Sequence, residues 1–198
     1  MRIGLFGGCF NPVHRGHLAA AMAARSVLRL DRVIFIPTGQ PPLANARALA
    51  PAQHRLAMVR LAIAGLPGCA VSDSEVNRPG PSYSVETARE LRAAMPGDHA
   101  WFFLLGQDCL PNLPRWKGID ELHAMLRFAI LRRGPGGLPP FEDKRYLGVS
   151  MTADECSSTA VRTALADGRS IGGLVPESVA EYICDHGLYT LAEEPVDA

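Results

Sequence analysis

Hydrophobic positions follow two alternating patterns along this chain: short continuous apolar runs, and longer stretches in which apolar residues recur at helical spacing. The apolar runs predict buried strands, which we place at residues 2–6, 33–36, 70–76, 101–105, 128–131 and 146–149. The helical spacing predicts helices at residues 16–30, 52–66, 84–95, 119–126, 158–166 and 177–185. Strands that alternate with helices are typical of a parallel sheet covered on both faces. We therefore expect an α/β protein with a Rossmann-like doubly wound parallel sheet of about five or six strands, and a small helical segment at the C-terminus.

The length of the chain fits one domain. A chain of 198 residues buries roughly 70% of its unfolded surface on folding. We expect a single domain over residues 1–190 and a frayed tail at residues 191–198. Residues 134–140 are rich in Gly and Pro, which predicts a loop that tolerates change. On the first helix we expect Leu18, Met22 and the Val27–Leu28 pair to face the core.

Charge and cysteine content narrow the function classes. Lys and Arg together number 20, and so do Asp and Glu, so the net charge is zero. A net charge of zero argues against a large basic surface that binds nucleic acid or an acidic membrane. The apolar stretches are too short to span a bilayer. The cysteines are odd in number and lack a C-x-x-C pair, which favours reduced thiols over a disulfide framework or a zinc site. We expect a soluble cytoplasmic protein with small-molecule partners. The cysteines are Cys9, Cys69, Cys109, Cys156 and Cys184.

The segment G-G-C-F-N-P-V-H-R-G-H at residues 7–17 follows the first predicted strand. A strand that runs into glycines and then into a helix presents backbone N–H groups to a phosphate. His14 and His17, three residues apart at the start of the helix, face the same direction. The segment therefore predicts a nucleotide site. It has neither the Gly-Lys-Ser/Thr of a P-loop nor the G-x-G-x-x-G of a dinucleotide fold. The alternative to a nucleotide site is a tight turn at the glycines, followed by histidines that only cap the helix or face solvent.

A run of hydroxyl residues, Ser157-Ser158-Thr159, opens the predicted helix at residues 158–166. Such a run is ordinarily an N-cap. Arg162, three residues after Thr159, adds a guanidinium near the same helix start, where free N–H groups also favour anions. This combination predicts a second phosphate-binding element.

Two further motifs follow predicted elements. Gly106-Gln107-Asp108 comes directly after the strand at 101–105, and its carboxylate suits ribose hydroxyls, although Asp at a strand end is often a turn residue. Tyr83 and Ser84 open the helix at 84–95, where a helix cap is the alternative interpretation. Trp116 lies between Arg115 and Lys117, and a core tryptophan is the alternative to a binding role for its aromatic ring.

These motifs resemble those of a known superfamily. The segment at 7–17 resembles the (T/S)-x-x-H-x-G-H signature of nucleotidyltransferases, and within them the G-G-S-F-(D/N)-P-x-H-x-G-H of bacterial nicotinate-nucleotide adenylyltransferases. The remaining motifs resemble the family's I-S-S-T-x-(I/V)-R, G-x-D and P-S-Y-T-x-x-T segments and its stacking tryptophan, over a span from Met1 to Tyr189. Cys9 replaces the usual Ser or Thr. Leu43-Ala44 replaces the His-Lys of P-P-H-K, a change for which Arg47 or Arg55 is a candidate substitute.

The resemblance implies a reaction that joins nicotinate mononucleotide to ATP, giving nicotinate adenine dinucleotide and pyrophosphate, with Mg²⁺ held mainly by the substrate phosphates and not by protein ligands. It implies catalytic roles for His14, His17 and Arg162. It places the mononucleotide at Tyr83, Ser84 and Trp116. It places ATP at Gly7, Gly8, Cys9, Phe10, His14, His17, Gly106, Asp108, Ser158, Thr159 and Arg162.

Four questions stay open at the level of sequence. A related transferase acting on nicotinamide mononucleotide or phosphopantetheine shares the first motif. A non-catalytic nucleotide-binding module is the alternative from another class, because the His-Lys pair is lost. The preference between acid and amide substrates, and whether the chain forms a homo-oligomer, are not fixed by these residues.

Overall fold

The computed structural model describes residues 1–42, 50–133, 141–151 and 156–189. The strands are β1 (Arg2–Gly8), β2 (Arg32–Pro37), β3 (Cys69–Val71), β4 (Ala100–Gly106), β5 (Arg127–Arg133) and β6 (Tyr146–Met151). The helices are α1 (Arg15–Val27), α2 (Ala52–Ile63), α3 (Ser74–Asn77), α4 (Ser84–Ala94), α5 (Ile119–Met125), α6 (Ser158–Ala166) and α7 (Glu177–Asp185). A 3₁₀ helix at Gln107–Arg115 follows β4.

Within these ranges the strands form one parallel sheet of six strands in the order β3-β2-β1-β4-β5-β6. This order is that of a doubly wound fold, in which the chain runs outward from the centre in one direction and then in the other. The expected Rossmann-like α/β class is therefore confirmed. The order reverses between β1 and β4, and ligands in such folds bind at the carboxyl ends of the strands that flank this switch point.

The core consists of two apolar layers, one on each face of the sheet, because successive strand residues point to opposite faces. Leu5 packs in the layer beneath α4 and α5, together with Ile34 and Phe103, which pair with it across the sheet. Its neighbour Phe6 packs in the other layer, with Phe35 and parts of α1, α2, α6 and α7. Burial on both faces explains why these strands are nearly continuous apolar runs.

The predicted strands and helices are all present, with three differences. The strand predicted at 70–76 ends at Val71, and the short helix Ser74–Asn77 follows it. Two helices end earlier than expected, at Val27 and Ile63. The 3₁₀ helix was not predicted, and it contains Pro111 and Pro114, a residue type that usually indicates a loop.

The inward face of α1 also differs from the expectation. Val27 is 57% exposed, although Leu28 is buried. The helix buries Ala20, Ala21 and Ala24 instead, since small side chains let it lie close to the sheet. The loop predicted at 134–140 and the tail predicted at 191–198 lie outside the described residues, and the single domain over 1–190 stays a prediction. In the part of the chain that the structure describes, no helix has the length and apolarity needed to cross a membrane.

Candidate active site

A crevice at the carboxyl ends of β1 and β4 contains two adjoining cavities of about 630 Å³ and 460 Å³. Both cavities are lined by Gly7 and Gly8 at the end of β1, by Gly106 at the end of β4, and by Asp108. The larger cavity extends toward the start of α4 and the 3₁₀ helix, and the smaller one toward the start of α1. The glycine pair and the G-x-D motif therefore meet at the junction, because β1 and β4 are neighbours in the sheet.

Gly106 and Asp108 lie close together at this junction. A Cβ atom at position 106 would collide with Oδ1 of Asp108, so a larger residue there would displace this carboxylate. Asp108 itself is exposed and lines both cavities. Its carboxylate is thus available to a ligand that spans the two.

The two histidines lie against each other at the start of α1. His14 is the N-cap residue and is only 2% exposed, and its ring centroid lies 3.7 Å from that of His17. The backbone N–H of His14 donates to Nδ1 of His17 over 3.2 Å. Because Nδ1 accepts this bond, a neutral His17 ring carries its proton on Nε2, where it can be donated to a phosphate oxygen. Of the pair, His17 forms part of the smaller cavity's wall, and His14 lies buried behind it.

Phe10 orients His17. Its ring is 2% exposed and meets the His17 ring edge-on, with centroids 4.9 Å apart. The Phe10 backbone has φ of 45°, a left-handed conformation that costs roughly 1–2 kcal/mol for a residue other than glycine. Strain of this kind is typical of loops at functional sites. Phe10 was expected to border ATP, and the structure places it in the wall of the smaller cavity.

The start of α6 is attached to the signature loop. Ser157 caps the helix by accepting from the backbone N–H of Ala160 at 3.0 Å, so the N-cap interpretation of this serine is confirmed. Ser158 Oγ donates to the Pro12 carbonyl at 2.9 Å. Arg162 donates to the Asn11 carbonyl at 2.7 Å and to Thr159 Oγ1 at 3.2 Å. The two predicted phosphate-binding elements are therefore brought together.

The predicted mononucleotide residues Tyr83, Ser84 and Trp116 all line the larger cavity. Trp116 forms a T-shaped pair with the core residue Phe103, with ring centroids 5.7 Å apart, so it also packs against the core. Lys117 Nζ lies 4.1 Å from the centroid of the Tyr83 ring. A helix cap by serine is wrong here, because Tyr83 occupies the N-cap position of α4 without a side-chain cap bond.

Cys9 and Cys109 line the larger cavity without acting as reactive thiols. Burial raises the pKa of Cys9, and burial with the nearby Asp108 carboxylate raises the pKa of Cys109 to about 11. Both are therefore neutral near pH 7, and a neutral thiol is a poor nucleophile. Cys9 contributes through its backbone, since its carbonyl accepts from Arg55 at 2.7 Å.

Arg55 is a structural residue and not a replacement for the missing His-Lys pair. It is 1% exposed and donates to the carbonyls of Ala50, Cys9 and Gly39 at 2.7–3.1 Å. Burial lowers its pKa. Leu43-Ala44 and Arg47 lie outside the described residues.

Two residues that the sequence did not single out for function are central to the site. Asn11 Oδ1 accepts from the backbone N–H of Ala50 and from the Tyr189 hydroxyl, each at 2.9 Å, and so anchors the signature loop. Glu75 is a buried carboxyl in the wall of the larger cavity. In the sequence, Glu75 could have been noticed as a charged residue inside the segment predicted to be a buried strand. Across the described residues, His, Cys, Asp and Glu form no group of three or more that could hold a metal ion.

Comparison with known proteins gives the same family as the motifs. Residues 5–164 match the Cytidylyltransferase-like family. A relative from Gemmatimonas aurantiaca is 42% identical over 197 residues, covering 96% of this chain and 92% of the relative. One from Thermus thermophilus is 43% identical over 191 residues, covering 96% of this chain and all of the relative. Both are named probable nicotinate-nucleotide adenylyltransferase.

Solved structures show the same fold. A putative nicotinate-nucleotide adenylyltransferase from Vibrio parahaemolyticus aligns with a TM-score of 0.68 at 20% identity, over 95% of this chain and 94% of that one. The Plasmodium falciparum nicotinic acid mononucleotide adenylyltransferase complexed with NaAD aligns with a TM-score of 0.71 at 19% identity, over 95% and 97% of the two chains.

Together, the doubly wound sheet and the histidine signature at its switch point define a nucleotidyltransferase. The chain belongs to the Cytidylyltransferase-like family and, within it, to the nicotinate-nucleotide adenylyltransferases. The resemblance stated from the sequence is thus confirmed.

Proposed function

We propose that this protein joins nicotinate mononucleotide to ATP, forming nicotinate adenine dinucleotide and pyrophosphate. The observation that carries the proposal is the pair of cavities that meet at Gly7-Gly8 and Asp108. One cavity is lined by His17, and the other by Tyr83 and Trp116. This arrangement suits two nucleotides whose phosphates meet at the switch point. The names of the relatives support the same pair of substrates.

The reaction needs positioning and charge stabilisation. An oxygen of the mononucleotide 5′-phosphate attacks the α-phosphorus of ATP in line, and the bond between the α-phosphorus and its bridging oxygen breaks as pyrophosphate leaves. The nucleophile is already an anion, so neither a general base nor a covalent enzyme intermediate is required. The neutral thiols of Cys9 and Cys109 are consistent with this route.

The proposed roles of the site residues follow from their positions. His17 donates from Nε2 to the phosphate oxygens where charge develops, and His14 supports its ring. Gly7, Gly8, Cys9 and Phe10 form the backbone cradle. Ser158, Thr159 and Arg162 approach the leaving pyrophosphate from α6. Mg²⁺ enters with ATP as part of the substrate, bound by its phosphates.

Gly106 and Asp108, which line both cavities, border the ribose of ATP. Trp116 and Tyr83 enclose the pyridine ring, whose positive charge is attracted to an aromatic face by roughly 0.5–2 kcal/mol. Ser84 lies at the start of α4, where backbone N–H groups suit the carboxylate of nicotinate. Both substrates are water-soluble metabolites, which agrees with the cytoplasmic location expected.

An assay with several acceptors tests the proposal. Purified protein is incubated with ATP, Mg²⁺ and either nicotinate mononucleotide, nicotinamide mononucleotide or phosphopantetheine, and pyrophosphate release is measured. We expect the highest kcat/KM with nicotinate mononucleotide. Preferential turnover of another acceptor would assign a related transferase. Absence of pyrophosphate with every acceptor would indicate a binding module and refute the proposal.

A further inference from the structure

Glu75 is a buried carboxyl group beside the mononucleotide cavity. It lies on α3, its side chain is 5% exposed, and it lines the larger cavity together with Thr38, Ser82 and Tyr83. A buried carboxyl carries a large desolvation cost unless it is paired or hydrogen-bonded. A fold that retains one in the wall of a ligand cavity uses it for positioning or for recognition.

The Thr87 hydroxyl bonds to this carboxyl from a separate element: Thr87 Oγ1, on α4, donates to Glu75 Oε1 over 2.8 Å. Ser82, just before α4, and Thr38, just after β2, line the same cavity, and their hydroxyls lie near the carboxyl and favour its charged form. Glu75 therefore connects the end of β2 to the start of α4, which are two parts of the cavity wall.

The backbone around Glu75 is equally constrained. A Cβ atom at Gly39 would collide with the carbonyl of Glu75, so only glycine lets the segment after β2 approach this closely. Ser82 also pairs with Gln40 through two hydrogen bonds, Ser82 N to Gln40 O at 2.8 Å and Gln40 N to Ser82 Oγ at 3.2 Å. Tyr83 follows directly, so its place in the cavity depends on this contact.

The charged and titratable groups that face Glu75 are Arg78, Arg55 and Cys9. Arg78 reaches it through Thr87, whose Oγ1 accepts from both Nη atoms at 3.3 Å. Arg78 also pairs with Glu90 and lies 3.8 Å from Glu86. Arg55 donates to three backbone carbonyls. The guanidinium groups of Arg78 and Arg55 therefore interact with other acceptors besides facing Glu75.

The pKa of Glu75 lies above its usual value, mainly because burial disfavours the charged form, while the hydroxyls and Arg78 oppose the rise. The group is therefore neutral over a wider pH range than an exposed glutamate. A neutral carboxyl suits a cavity whose proposed ligand carries a phosphate and a carboxylate. Once ionised, it would repel that ligand across a wall of low polarity.

We propose that Glu75 is a positioning residue for the mononucleotide: it accepts from the Thr87 hydroxyl, lies against the segments that carry Thr38 and Ser82, and fixes the cavity wall at Tyr83. The inference rests on the proposed function. It assigns mononucleotide recognition to a buried side chain that no sequence motif marked. Its consequence is specific to one substrate, because ATP is proposed to occupy the other cavity.

The test compares the wild type with Glu75→Gln and with the matched control Glu90→Gln. Gln keeps the size of the side chain but cannot ionise, and Glu90 is an exposed carboxylate on α4 that also faces Arg78. KM for nicotinate mononucleotide and for ATP is measured from about pH 5 to pH 9. Titration of the substrate phosphate affects all three proteins equally, so the ratio between proteins isolates Glu75.

We expect the wild-type KM for the mononucleotide to rise with pH by roughly threefold or more relative to Glu75→Gln. KM for ATP should stay within about twofold, and Glu90→Gln should follow the wild type. Parallel mononucleotide profiles for the wild type and Glu75→Gln would overturn the inference while leaving the proposed function intact. A wild type that forms no dinucleotide would refute the proposed function. In that case, calorimetric titration of the wild type and Glu75→Gln with mononucleotide across the same pH range tests the role of Glu75 separately.

A second variant covers the case in which Glu75→Gln does not fold. Thr87→Val removes the hydroxyl that donates to Glu75 and keeps the shape of the side chain. We expect it to raise the mononucleotide KM several-fold and to retain the wild-type pH dependence, because Glu75 is still present. An unchanged KM would contradict the positioning role.

Discussion

His17 shows how a single backbone contact prepares a side chain for chemistry. The N–H of His14 occupies Nδ1 of His17, which leaves Nε2 as the donor toward the cavity. The Phe10 ring supports the imidazole from the side. The strained backbone at Phe10 is the cost of placing this ring.

Replacing His17 should impair the reaction far more than the fold. We expect His17→Ala to lower kcat by about a hundredfold or more, the loss typical when a donor to the transition state is removed. Steady-state kinetics with circular dichroism and a melting curve would check this. His99→Ala is the control, since Nδ1 of His99 hydrogen-bonds to the amino group of Met1. This contact lies at the amino ends of β1 and β4, whereas the crevice lies at their carboxyl ends. A His17→Ala variant with wild-type kcat would remove His17 from the mechanism.

Glu75 also has a consequence for stability, whatever the substrate. Its pKa is raised in the folded protein from the ordinary 4.5, so the folded state binds this proton more tightly than the unfolded state. The stability that results is complete below about pH 4.5 and is lost as pH rises through the raised pKa. We therefore expect Glu75→Gln to become more stable relative to the wild type as the pH rises above about 4.5, as measured by urea unfolding.

Glu86→Gln is a control, because its expected effect on stability changes with pH in the opposite direction. The carboxylate of Glu86 accepts from Lys117 Nζ at 2.8 Å, and this hydrogen bond holds its pKa below the usual value. The stability from Glu86 is present above the ordinary pKa and is lost as the pH falls. A Glu75→Gln difference that is flat or falls with rising pH would contradict the burial argument.

At the scale of elements, α6 depends on one capping residue to present its first turn. Ser157 Oγ accepts from the N–H of Ala160, and the next residue, Ser158, bonds to the signature loop. We expect Ser157→Ala to lower the free energy of unfolding by about 1 kcal/mol. Chemical denaturation measures this change, and Ser170→Ala, an exposed position after α6, is the comparison. A loss no larger than that of the comparison would show that the cap does not hold the helix.

The elements themselves were largely predictable from the sequence, because strands buried on both faces give continuous apolar runs. Motifs at the strand ends then located the crevice. The 3₁₀ helix and α3 were missed since prolines and short polar segments resemble loops. Asn11, Arg55 and Glu75 could not be assigned because their roles depend on distant partners. The partners of Asn11, for example, lie 39 and 178 positions away.

For the whole molecule, the central feature is a switch point that divides one crevice into two cavities. The cavities share Gly7, Gly8, Gly106 and Asp108, but their outer walls come from different elements. Under the proposed function, this division lets one fold hold two nucleotides whose phosphates meet at the shared residues. It also predicts that the two substrates respond separately to changes in the two walls.

Trp116 tests this separation. We expect Trp116→Ala to raise KM for nicotinate mononucleotide by roughly two- to thirtyfold, from the loss of about 0.5–2 kcal/mol of ring contact. KM for ATP should change little, because Trp116 lines only the larger cavity of the two. Trp116→Phe, which keeps an aromatic face, should recover much of the affinity. An effect confined to ATP would refute the proposed placement of the substrates.

The most direct test of the account follows one phosphorus atom through the reaction. Protein, Mg²⁺ and nicotinate mononucleotide are incubated with ATP labelled at either the α- or the γ-phosphorus, and the products are separated by chromatography. The account predicts that the α label appears in nicotinate adenine dinucleotide and the γ label in pyrophosphate. Transfer of the γ label to the mononucleotide, or release of the α label as free AMP, would contradict adenylyl transfer at this site.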